Sequence, residues 1–187
     1  MLEGGIVATA KEFLPRYTVE DYKFWEGDWE LINGVPYAMA PSPIWKHQRI
    51  SLLIAKQIEE QLENCPKGCY VCQEIDWIID ERTVVRPDLV VVCGKVELEE
   101  HLKKTPEVIF EIVSKATSFK DEEIKFSLYE REKVKFYALV YPNIKKMRVF
   151  ELKNGKFEKV FDSNSESFTF KIDCPFKVDI SAVWRRI

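Results

Sequence analysis

Two stretches decide how this chain is read: Arg86-Pro87-Asp88-Leu89-Val90-Val91-Val92-Cys93, and a little further on Glu107-Val108-Ile109-Phe110-Glu111-Ile112-Val113-Ser114. The first holds an unbroken apolar run, the mark of a strand covered on both faces, and the second repeats it with one carboxylate inside. An ionised carboxylate withdrawn from water costs on the order of several kcal/mol unless it is paired or bound to a cation. If the two strands are neighbours, about 5 Å apart, Asp88 and Glu111 reach one ion. Hard Mg2+ or Mn2+ prefers such oxygen ligands. The plainer alternative has Asp88 capping a turn after Pro87 and Glu111 paired with Arg86 or Lys125 at a sheet edge. The joint placement of two acids on apolar strands favours the shared site.

Working outward, residues 118–133 read as a helix and 135–141 as a strand, so the strand of Glu111 is followed by a β-α-β crossover that makes those two strands parallel. From Lys145 the pattern becomes a meander, with strands over 147–152, 157–161 and 168–172, an Asn154-Gly155 turn, and a closing helical turn over 179–183. Upstream, residues 18–27 read as a short helix with Thr18 as N-cap and Asp21 at the capping-box position. A hairpin follows, with strands at 29–32 and 35–40 around Asn33-Gly34. The Pro41-Ser42-Pro43 stretch interrupts the pattern before 44–63, where Ile50, Leu53, Ile54, Ile58 and Leu62 recur at helical spacing. Residues 70–79 read as one strand, Val84-Val85 as the start of another, and 96–103 as a short polar helix.

The chain has 187 residues, 46% hydrophobic and 32% charged, with only seven Gly and nine Pro, which fits a single domain over 1–187. The fold class expected is α/β (α+β): a central mixed β-sheet flanked by helices, with an N-terminal β-hairpin and a C-terminal antiparallel meander. No apolar run approaches the roughly 20 residues of a membrane span, and the first ten residues lack a basic n-region, so a soluble, cytoplasmic protein is expected. Five Cys at irregular spacing then imply reduced thiols rather than disulfides. A net charge of −3 excludes indiscriminate duplex binding and requires a local basic patch for any nucleic-acid contact. Lys115, Lys120, Lys125, Arg131, Lys133, Lys135, Lys145, Lys146 and Arg148 offer one around the crossover helix and just after it.

Pro87-Asp88, then Glu111-Ile112-Val113 on a following strand, then a helix and a strand, resembles the restriction-endonuclease-like core of the PD-(D/E)XK nuclease superfamily. That superfamily carries Lys two residues after the Glu, where this chain has Val113. The whole ordered set is similar to a large bacterial family of endonuclease-like proteins of unknown function within it. The matching residues are Glu30-Leu31-Ile32-Asn33-Gly34, Met39-Ala40-Pro41-Ser42-Pro43 with His47, Arg86-Pro87-Asp88, Glu111-Ile112-Val113-Ser114 with Thr117, and Asp121, Lys125 and Tyr129, spanning roughly residues 17–152. The resemblance implies a Mg2+-dependent endonuclease acting on DNA. Asp88 and Glu111 would be the metal ligands, Lys125 would replace the strand lysine from the next helix, and Glu30 would be a further acid of the site.

Spacing supports Lys125 independently, because Asp121, Lys125 and Tyr129 stand at i, i+4 and i+8 on one helical face. His47 opens the long helix on the face of Ile50 and Ile54, which points it inward, toward the core or toward the site. One of Gln73 and Glu74 faces the site, and alternation does not say which. Cys65, Cys69 and Cys72, completed by Cys93 or His101, match no paired zinc knuckle, and free thiols packed as small apolar groups are the reading preferred. A homodimer fits an enzyme that cuts two strands. The competing function is a metal-free module of the same fold that binds a partner or dimerises through the meander.

Overall fold

The computed structural model describes residues 16–39, 44–95 and 100–187. The loose start and the Pro41-Ser42-Pro43 break lie outside them, as do residues 96–99 of the expected polar helix. Leu102, beyond that gap, makes a parallel bridge to Trp77 instead of a helical turn.

Strands β1 (Trp29–Ile32) and β2 (Val35–Ala38) form the hairpin read at Asn33-Gly34, and both turn residues have positive φ, as its tight turn requires. Before it, the capping box at Thr18 and Asp21 forms, but helix α1 (Val19–Tyr22) is a single turn. Helix α2 (Trp45–Leu62) carries its apolar stripe as expected. The stretch read as one strand over 70–79 is two, β3 (Cys69–Gln73) and β4 (Trp77–Asp80), in different sheets. Glu74, with φ +50°, turns the chain between them.

Strands β5 (Thr83–Val85), β6 (Leu89–Cys93), β7 (Val108–Ile112) and β8 (Phe136–Tyr141) follow, then β9 (Lys146–Lys153) and β10 (Lys156–Ser163). The central six-stranded sheet has the order β10-β9-β8-β7-β6-β3, antiparallel except for the parallel β7/β8 pair that the crossover demands. The second sheet is β2-β1-β5-β4. The meander ends at β10: β11 (Ser167–Phe170) leaves the central sheet and pairs with β12 (Phe176–Asp179), a strand absent from the sequence reading. Helix α4 (Ile180–Trp184) follows with Asp179 as its N-cap.

One face of the central sheet packs on α2, β11, β12 and α4, through Leu89, Val91, Val108, Phe110 and Ile112. The other face packs on the second sheet and on the crossover helix, through Val90, Val92, Ile109, Val113, Tyr137 and Leu139. Strict alternation along β7 therefore sends Glu111 to the second face. On the first face, the side-chain amides of Gln57 and Gln61, one turn apart on α2, bond both ways with the backbone of Asp179 and Lys177. They act as a strand would along the edge of β12.

The crossover helix differs from an ordinary α-helix. It opens through a π-helical turn over Lys120–Lys125 before continuing as α3 (Phe126–Arg131). Such wider turns recur at functional sites.

The thiols expected to be free are mostly paired, Cys65 with Cys174 and Cys69 with Cys93, leaving Cys72 unbonded. Spacing concealed this because the partners stand 109 and 24 residues apart and meet only when β3 lies on β6 and β12 on α2. No helix among the described residues is long and apolar enough to cross a membrane.

Candidate active site

Antiparallel pairing sets Leu89 opposite Phe110, so Asp88 and Glu111 meet at the end of the β6/β7 ladder. Asp88 takes the next ladder position with its side chain: its Oδ2 accepts the Ile112 N–H at 2.6 Å. His47, from the first turn of α2, brings Nε2 to 3.2 Å from the same oxygen. Burial disfavours the charged imidazole, but the hydrogen bond and charge of Asp88, with Glu74 and Asp121 beyond, outweigh it and hold its pKa above the usual value.

Glu111 is buried on the opposite face from Ile112, and its Oε1 accepts from Lys125 Nζ at 2.8 Å and from the Tyr129 hydroxyl at 2.9 Å. Lys125 also reaches Glu30 Oε1 at 2.7 Å, so its ammonium bridges two acids from two different sheets. Glu30, fully buried on β1, further accepts from the Arg86 N–H at 2.9 Å and from Lys120 Nζ. Arg86 itself turns away, to Asp28 and Asp76 at 2.7 Å each, so of the two cations considered for Glu111 only Lys125 pairs with it.

Electrostatics divides these groups. Burial raises the Glu30 carboxyl, but Lys125 and Lys120 overcome it and keep the group below its usual pKa. Burial pushes Glu111 well up; Lys125 opposes this, while Asp88, Asp121 and Glu30 add repulsion. Asp121 is pushed up to about 6, chiefly by burial and against the pull of Lys125. Lys125 loses solvation yet is held well above its usual pKa by Glu111, Glu30 and Asp121, so it stays an ammonium.

These groups open on a cavity of about 520 Å3, whose walls include His47, Asp88, Glu111, Asp121, Lys125 and Glu74. Glu74 is thus the member of its pair that faces the cavity, while Gln73 ties β3 to α2 through Ser51 at 2.7 Å. Of the expected basic patch, Lys115, Lys120 and Lys125 line the cavity, joined by Lys46 from α2. The remainder lies elsewhere: Arg131 pairs with Glu132, Lys135 stands over the Phe136 ring, and Lys146 and Arg148 pair with Asp162. Asp121 is the acid the sequence reading undervalued. Its place one turn before Lys125 was the available signal, whereas nothing in the sequence linked Lys120 to Glu30, 90 residues away.

Comparison with known proteins places the fold and the family. The chain belongs to the Uma2 family, described as "Putative restriction endonuclease", whose model matches residues 19–170. Its fold is similar to a solved structure from Anabaena variabilis ATCC 29413, described as "a putative nuclease belonging to DUF820". The TM-score is 0.74 at 15% identity, over 90% of this chain and 97% of that one. No curated protein matches the chain.

Proposed function

We propose that this Uma2-family chain is a divalent-metal-dependent endonuclease that hydrolyses DNA phosphodiester bonds in the cavity between α2, the end of β6 and β7, and the crossover helix. One observation carries the reading. The buried charged residues among those described are Glu30, Glu111, Asp121 and Lys125, each no more than 3% exposed; the last three line that cavity and Glu30 stands behind it on Lys125. Three buried carboxylates share one buried ammonium, with Lys120 on Glu30 at the margin, and Asp88 adds a fourth acid at the cavity wall. Such an excess of buried negative charge is costly unless a cation completes it.

The donor set fits a hard divalent ion. Asp88 and Glu111 are the ligands proposed, both oxygen donors, for Mg2+ or Mn2+. A cation bound there polarises a phosphoryl oxygen and lowers the pKa of its water, as phosphodiester hydrolysis requires. The remaining work falls to the chain. The Ile112 N–H and His47 orient Asp88, and the Tyr129 hydroxyl fixes Glu111. Glu30 and Glu111 hold Lys125 charged, where it stabilises negative charge developing on the phosphate. Lys46 and Lys115, on the cavity wall, contact flanking phosphates. A symmetric dimer would offer one such site to each strand of a duplex.

The test is a cleavage assay on single-stranded, duplex and branched DNA with Mg2+, Mn2+ or chelator, using Asp88→Ala and Lys125→Ala as controls. Metal-dependent cutting lost in both variants is expected. Undiminished cutting in both would overturn the assignment, and no cutting of any substrate would leave a binding module.

A further inference from the structure

The cysteines at 65, 69, 93 and 174 come from four places in the chain: the turn after α2, the first residue of β3, the last of β6, and the link between β11 and β12. They are paired as two disulfides, yet the pairs are not separate. The sulfurs of Cys65, Cys69 and Cys174 all lie within 4.8 Å of one another, and that of Cys93 is bonded to Cys69. Three sulfurs therefore form one cluster, which Cys69 joins to the fourth, that of Cys93. It stands at the far end of β6 from Asp88, about 16 Å along the strand at roughly 3.3 Å per residue.

We propose that, in its reduced form, this cluster is a tetrathiolate site for one zinc ion, separate from the carboxylate centre. Soft thiolates select zinc over the hard cations that suit carboxylates. A tetrahedral zinc with sulfurs about 2.3 Å away needs them about 3.8 Å from each other, and three of the four already share a 4.8 Å sphere of contact. The surroundings are closed, as in structural zinc sites: Cys69, Cys93 and Cys174 are buried and Cys65 is partly so.

Local backbone gathers the donors. Cys69 and Cys93 are register partners on adjacent antiparallel strands, with both side chains on the α2 face. The Cys65-Pro66-Lys67-Gly68-Cys69 loop doubles back through the bond from Gly68 N–H to the Cys65 carbonyl at 3.0 Å, with Gly68 at φ +63°. Gly94, at φ +82°, stitches this loop to the end of β6 by donating to the Lys67 and Gly68 carbonyls. Lys104 Nζ reaches the Cys93 carbonyl, which puts a positive charge beside the dianion that four thiolates and Zn2+ make. Cys72, three residues after Cys69 on the same strand, packs on the opposite face and belongs to no such set.

The chemistry balances. Each disulfide takes two electrons and two protons from a dithiol reductant, giving four thiols and two oxidised reductant molecules. Binding Zn2+ then displaces four protons. The ion would fasten the β11–β12 unit, through Cys174, to the edge of the central sheet.

The test uses the full chain purified anaerobically with a dithiol reductant, with metal measured by mass spectrometry, and a parallel sample loaded with Co2+. One zinc per chain is expected, with sulfur-to-cobalt charge-transfer bands and the visible spectrum of a tetrahedral site in the cobalt form. Zinc should be lost in Cys93→Ser and Cys174→Ser, and kept in Cys72→Ser and Asp88→Ala. Chelating it should lower the thermal midpoint of the reduced protein. A reduced wild-type chain with five titratable thiols but neither zinc nor cobalt–thiolate bands would overturn the proposal, and this measurement requires no variant to fold. Zinc retained in Cys174→Ser or lost in Asp88→Ala would overturn it too, as would disulfides that persist in the folded chain under the reductant.

Discussion

Lys125 reaches Glu111 from the crossover helix, Nζ to Oε1 at 2.8 Å, on the sheet face where the chain just past β7 places Val113, two residues after the acid. The ammonium that the strand lacks is thus delivered from the side, by a helix whose π-helical turn buries both Asp121 and Lys125. Because it is the one cation among the described residues paired with Glu111, its removal leaves that buried acid with the Tyr129 hydroxyl alone, while Glu30 keeps Lys120 and the Arg86 N–H.

Lys125→Met should therefore destabilise the fold by about 3–5 kcal/mol, the usual consequence of leaving buried charge unpaired, and abolish cleavage. Adding Val113→Lys should restore part of both, since the new ammonium enters from the same face. Urea unfolding and single-turnover rates of the single and double variants check this. A double variant no better than Lys125→Met would show that the two positions are not interchangeable.

Glu30 contacts two lysines and a backbone amide, and in the proposed site it positions Lys125. Glu30→Gln is expected to bind Mn2+ nearly as tightly as the wild type while losing about 10- to 100-fold in turnover, whereas Asp88→Ala loses the binding heat itself. Calorimetry separates the two. Equal loss of Mn2+ affinity in both variants would make Glu30 a ligand.

His47 contacts Asp88 at 3.2 Å and is partly exposed; in the proposed site it orients that ligand. His47→Gln should weaken metal affinity by about tenfold and change stability by less than about 1 kcal/mol. A large stability loss with unchanged Mn2+ affinity would reassign it to the core.

Gln57 satisfies both the N–H and the carbonyl of Asp179 on β12. Gln57→Leu leaves these groups unpaired in a partly buried place, at a cost of about 1–3 kcal/mol. The exposed equivalent, Gln61→Leu, should cost less, because water replaces the lost bonds. Chemical denaturation of the two variants gives the order.

Asp179 caps α4 by accepting from the Ala182 N–H at 3.1 Å and from the Ser181 hydroxyl at 2.7 Å. Burial opposes its charge, but these bonds outweigh burial and hold the carboxyl below its usual pKa. The cap therefore stabilises above the ordinary carboxylate pKa, and its contribution disappears as pH falls through the lowered value. Asp179→Ala should cost about 1 kcal/mol at neutral pH, and the gap to wild type should close in acid. A gap independent of pH would mean that packing, not the charged cap, is lost.

Much of this was legible in one dimension. The hairpin at Asn33-Gly34, the stripe of α2 and the parallel crossover follow from periodicity and turn chemistry, which act over a few residues. Asp88 and Glu111 stood out because each puts a charge where the pattern says core, and Lys125 because it shares a helical face with Asp121 and Tyr129. The split at Glu74 was not legible, since an extended apolar run looks the same whether it stays in one sheet or leaves it for another. Nor was the pairing of β11 with β12, because a short strand carries no mark of its partner.

The amino-acid sequence by itself determined that Asp88 and Glu111 accompany apolar strands, that Lys125 shares a helical face with Asp121 and Tyr129, and the local elements that carry them. Tertiary structure alone decided their partners: that Arg86 serves Asp28 and Asp76, that Lys120 closes on Glu30, and that Cys65, Cys69 and Cys174 gather their sulfurs beside the Cys69–Cys93 pair. The physical reason is range. Periodicity and capping are set within one or two turns of chain, whereas an ion pair or a sulfur cluster forms wherever packing brings its groups within a few ångströms, and packing is a property of the whole core. Asp88 and Glu111 were visible first because each stands at or within an unbroken apolar run; that their strands are adjacent was decided by the fold.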